Sequence, residues 1–176
     1  PADGLFGHRL AALGERVATA LAPERACRRA ASQLARFEVD ISELGPVRTL
    51  RALMDAEAPG VLRLQVTSGT RRCILEVAGE QLMGCVSMES EGGAPQEGLP
   101  ALARFLELDD GDAKVERRSE ASRSNVVKPV LESVARAADL LSDQATHRFA
   151  ALGQHSLSTV HRDLSELADA TREPGR

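Results

Sequence analysis

Between Gly60 and Val86 the chain divides into three apolar runs separated by two short glycine turns, and in the first two an apolar face recurs at every second position. Leu62, Leu64 and Val66 share one face of the first run, Cys73, Leu75 and Val77 one face of the second, and Leu82 to Val86 make the third. Period two is strand geometry, in which successive side chains point to opposite faces. Ser68-Gly69-Thr70 and Gly79-Glu80 are hairpin-length turns, so an antiparallel meander is expected.

The flanks change period. Leu5, Leu10, Leu13, Val17 and Leu21 recur at helical intervals, and Pro23 is expected to break that helix because proline disfavours a helical residue before it. A second helix is expected to Arg36, with Cys27, Ala30, Ala31 and Leu34 as its apolar stripe. Arg25, Arg28, Arg29 and Arg36 crowd the rest of it, as a solvated face or as a patch for an acidic partner. Asp40 followed by Glu43 is a capping pattern for a helix over 41–56, with Ile41, Leu44, Val47, Leu50, Leu53 and Met54 at helical spacing and Pro59-Gly60 as its stop. After the polar loop 89–98, Leu99, Leu102 or Ala103, Phe105, Leu106 and Leu108 predict a short helix closed by Asp109-Asp110-Gly111. Ala113 to Val115 predicts a last strand at the sheet edge, where Lys114 and Glu116 would discourage further strand addition.

The fold class expected is α+β, a small antiparallel sheet with packed helices, flanked by N- and C-terminal helices. The boundaries are a helical segment 1–36, a core domain 37–118, a serine-rich linker 119–125, C-terminal helices 126–171 and a disordered tail 172–176. Net charge divides the chain similarly, at +3, −6 and −1 over 1–36, 37–118 and 119–176. The expected shared core is Leu50, Leu53, Leu62, Leu64, Leu75, Val77, Leu82, Leu102 and Leu106.

Composition narrows the function. There are four Phe, no Trp and no Tyr, and the formal net charge is −4. Base-stacking surfaces and a global positive field are both missing, so nucleic acid and anionic membranes are not expected partners. No apolar run reaches the roughly 18 residues of a membrane span. Three cysteines without metal spacing suit a reducing compartment, and a cytoplasmic location is expected. Pro1 in place of Met, and only Lys114 and Lys128 as lysines among 22 basic residues, suggest a piece of a longer protein from a GC-rich bacterial genome.

The run FEVDISELGPVRTLRALMDAEAPGVLRLQV, then RRCILEVAGEQLMGCV, then GLPALARFLELDDGDAKVE resembles the PATAN domain, the PatA-like N-terminal domain of bacterial signalling proteins. The matching positions are Leu50, Leu53, Gly60, Val61, Leu62, Leu64, Gly79, Leu82, Cys85, Leu102, Leu106, Asp110 and Gly111, within about residues 37–118. Asp112-Ala113 stand where an aromatic often follows the acidic-glycine turn, and Cys85 where alanine is usual. The resemblance implies a signalling and protein-interaction module, joined to receiver, kinase or forkhead-associated domains in bacteria that regulate motility, polarity or development. It implies no catalytic residues.

No phosphate-cradling loop, dinucleotide fingerprint, nucleophile elbow or His-Glu-x-x-His pair occurs in the sequence. His147, His155 and His161 are eight and six residues apart, against the three or four that put two ligands on one helix face. Cys73 and Cys85 flank the Gly79-Glu80 turn, either as small core residues or as a redox pair. The expectation is a noncatalytic chain without cofactor or metal, whose partner is another protein or an attached signalling domain. The alternative is a regulatory fragment of a larger Ser/Thr kinase or response regulator. The candidate partner-binding residues are Val127, Val130, Val134 and Leu141 on one apolar stripe and Phe149, Leu152, Val160 and Leu164 on another. These stripes would bind a partner, make a homodimer through the C-terminal helices, or fold back on the N-terminal helices.

Overall fold

The computed structural model describes residues 2–90 and 92–145, with residues 2–11 described by their backbone alone. In chain order the elements are α1 (Ala2–Gln33), β1 (Arg36–Asp40), α2 (Ile41–Leu44), α3 (Pro46–Met54), β2 (Val61–Ser68), β3 (Arg71–Ala78) and β4 (Gln81–Glu89). They continue with β5 (Gln96–Glu97), α4 (Leu99–Leu106), β6 (Asp112–Arg118), β7 (Lys128–Pro129) and α5 over 130–145. The fold is α+β. All strand pairs are antiparallel, in the order β1-β6-β2-β3-β4-β5, with β7 also pairing β4. One compact unit runs to Ala138 and a second begins at Asp139. The sheet and the helices packed on it belong to the first.

The meander expected from the alternation is β2-β3-β4, with Leu62 opposite Val77, Leu64 opposite Leu75 and Val66 opposite Cys73. Gly69 and Gly79, both at φ +54°, sit in its two-residue turns, where a side chain would be strained. β6 adds Val115 opposite Leu64 and Ala113 opposite Val66. The face so formed is buried, and α3 and α4 pack against β3 and β4 with Leu50, Leu53, Leu102 and Phe105 in the same core.

Eight of the nine expected core residues are buried, but Leu106 is only half-buried, because the inward face of α4 is Ala101, Leu102 and Phe105. Pro23 does not end the first helix: it lies inside the single helix α1. Pro23 has no N–H to donate to the Thr19 carbonyl one turn back, and beside it the Arg48 guanidinium donates to the Ala20 carbonyl (2.6 Å) while pairing with Glu24 (3.2 Å). The expected helix 41–56 is two helices, because Pro46 excludes a helical residue 45 and Gly45 turns to φ +77°. Asp40 caps α2 by accepting from Ser42 N at 2.8 Å, without the reciprocal role assigned to Glu43.

Two further corrections set the topology. Residues 36–40, expected to end one helix and cap the next, form strand β1. As a result β6 is internal, flanked by β1 and β2, and is not the edge strand that Lys114 and Glu116 suggested. Arg117 of β6 fastens α1: its guanidinium donates to the carbonyls of Ala31 (2.7 Å) and Ser32 (3.0 Å), placing a cation at the helix C-terminus.

Candidate interaction surface

The two edges of the sheet are treated differently by the sequence that follows them. Along β4 the outer edge is closed by three devices. β7 pairs Gln81 and Leu82, and β5 pairs Val86 and Ser87. Between them the Asn125 side chain replaces a strand residue, with Oδ1 accepting from Cys85 N (2.9 Å) and Nδ2 donating to Cys85 O (3.1 Å).

The 119–125 segment, expected to be a linker, is fastened across the second face of the sheet. The buried Glu76 carboxylate accepts from Ser122 N (2.8 Å), Ser122 Oγ (2.5 Å) and Arg123 N (2.9 Å). Gly84, opposite Glu76 on β4, admits this crossing, since a Cβ there would stand 2.7 Å from that of Arg123. A carboxylate with three donors is satisfied despite its burial, which makes Glu76 a structural clamp.

Among the described residues β1, at the other edge, pairs only with β6. Beside it an apolar groove of about 600 Å³ runs between α1 and β1. Its helix wall is made of small residues, Ala22, Ala26, Cys27 and Ala30, and Phe37, Val39 and Leu44 line the other side. Burial, and secondarily the charge of Glu24, push the Cys27 thiol up to about 11, so it serves the groove as an apolar wall. Asp40, at the end of β1, is held below the usual carboxylate range by the hydrogen bonds from Ser42. Above the groove, α1 is exposed throughout Ala12–Ala22, and Leu13, Val17 and Leu21 (55%, 49% and 36% exposed) make an uncovered apolar stripe there.

The C-terminal residues expected to bind a partner are not one stripe. Val127 is 52% exposed and at φ +46°, rare for a β-branched residue, before α5 begins. Val130 is buried and Val134 half-buried, and the inward positions of the helix are Val130, Ser133 and Ala137. Leu141 lies on α5 beyond Ala138, in the second unit. Phe149, Leu152, Val160 and Leu164 lie outside the described residues, as do His147, His155 and His161.

Cys73 and Cys85 are both buried and free. They are diagonal neighbours, because Cys73 faces Ser87 and Cys85 faces Leu75. Diagonal positions stand roughly 7–8 Å apart, beyond the reach of a disulfide. Burial raises both thiols, Cys85 strongly. The arrangement is that of packed small residues. The exposed end of β1 and its groove were missed because Arg36 to Asp40 has five residues of alternating charge and apolarity between two helical patterns, and only the Phe37/Val39 alternation marked it as a strand. Among the described residues no helix is long and apolar enough to cross a membrane. Set against known proteins, the chain matches no family model, no curated protein and no solved structure.

Proposed function

We propose that this chain is a noncatalytic protein-interaction module of bacterial signal transduction, of the kind its PATAN resemblance implies. The observation that carries the reading is the edge of β1, unpaired among the described residues, beside an apolar groove. An unpaired strand edge presents backbone donors and acceptors to an incoming strand, and a neighbouring apolar groove takes its alternate side chains. The reading includes a cytoplasmic location, which the three free cysteines support.

Two measurements test it. The purified chain should hydrolyse no ATP, GTP or phosphoester above the buffer rate. Turnover that survives purification and disappears on replacing one residue of the chain would overturn the reading. A photo-crosslinking residue at Val39 should give protein adducts in cells, whereas one at Arg72, exposed on β3 away from the groove, should give none. Equal labelling at both positions contradicts an interaction site at β1.

A further inference from the structure

We infer that β1 pairs antiparallel with β1 of a second copy of this chain, in register about Glu38. The inference rests on the interaction reading and names its partner.

The strand Arg36-Phe37-Glu38-Val39-Asp40 is self-complementary when turned upon itself. Pairing about Glu38 sets Arg36 opposite Asp40 of the second copy, twice by symmetry, and Phe37 opposite Val39, also twice. Residues directly opposite in an antiparallel pair share a face, so charged residues meet on the open face and apolar residues on the face lined by α1. A one-residue slip would set Phe37 against Glu38 and place the two helical layers on opposite sides.

The charge pattern of each copy is incomplete in a way that the second completes. Arg36 pairs at 2.7 Å with Glu116 on β6. Asp40, however, stands opposite Asp112 on β6, and among the described residues neither carboxylate has an ion-pair partner. Arg36 of a second copy, on the open side of Asp40, supplies the missing cation. The joined row then reads Glu116, Arg36, and Asp40 and Asp112 of the second copy. The small side chains along the α1 wall leave space for Phe37 and Val39 of the second copy. The β4 edge, closed by β5, Asn125 and β7, offers no equivalent.

Glu38 meets its own counterpart at the two-fold axis, and this like-charge contact provides the test. Light scattering of the full chain should show a monomer–dimer equilibrium in the micromolar range. Glu38 is exposed and makes only a long 3.8 Å pair with Lys114, so its substitution leaves the fold intact. An equimolar mixture of the native chain and Glu38→Lys should associate about two- to five-fold more tightly than either alone, because only the mixed pair brings opposite charges together. Arg36→Glu should weaken association roughly ten-fold by making both Arg36 contacts repulsive, with an unchanged circular dichroism spectrum. A chain that stays monomeric up to several hundred micromolar overturns self-pairing, while the crosslinking contrast at Val39 still decides the interaction reading. A dimer whose affinity is the same in the mixture as in either pure sample also overturns it, since position 38 then does not face itself.

Discussion

Replacing Leu64 by Ala should lower the free energy of unfolding by about 2–5 kcal/mol, measured by urea denaturation. Leu64 is fully buried in the middle of the sheet, opposite Leu75 on β3 and Val115 on β6. Truncation removes the transfer energy of its side chain and leaves a cavity that a sheet paired on both sides of β2 cannot collapse to fill. For a domain stabilised by about 5–15 kcal/mol, this is a large share of the total. Leu106→Ala should cost less, because that side chain is only partly withdrawn from solvent. A Leu64→Ala effect below about 0.5 kcal/mol would put the residue on the surface and contradict the strand register.

Glu76→Ala should destabilise the chain by about 2–4 kcal/mol, since each buried donor left without an acceptor costs about 1–3 kcal/mol and water can recover part of the loss at the loop. The substitution deprives Ser122 N, Ser122 Oγ and Arg123 N of their acceptor at once. A second readout separates this clamp from general loss of packing: amide exchange over residues 119–127 should rise more than exchange over β2. Glu76→Gln keeps one acceptor oxygen and should fall between. Wild-type stability in Glu76→Ala, with unchanged exchange over that segment, would show that the segment is held by other contacts.

The meander was legible because strand alternation and two-residue glycine turns are local signals, and the same three runs pair as expected around Leu64 and Leu75. The helices were legible as apolar stripes but not in their limits. Pro23 reads locally as a break, yet α1 runs through it, and Arg48, distant in sequence, packs there with its guanidinium on the Ala20 carbonyl. Gly45-Pro46 was available as a break signal inside the 41–56 stripe, but the continuous spacing of Ile41, Leu44, Val47 and Leu50 masked it. The role of Glu76 was not legible, since a charged residue in a strand is expected to face solvent until a later segment crosses above it. The β1 edge was hidden for a related reason. Whether β6 is an edge or an interior strand depends on a partner some 75 residues earlier in the chain, and no periodicity within 112–118 records it.

If β1 is the edge at which this chain meets another, amide exchange along that strand depends on protein concentration. Exchange should be followed by mass spectrometry over a dilution series, comparing the peptide that covers Arg36–Asp40 with one that covers Gln81–Glu89. Protection of β1 should rise with protein concentration over the range in which light scattering reports dimer, while β4, already closed at its outer edge, exchanges at one rate throughout. Exchange in β1 that stays fast and independent of concentration while the chain dimerises would show that the copies meet elsewhere than at β1.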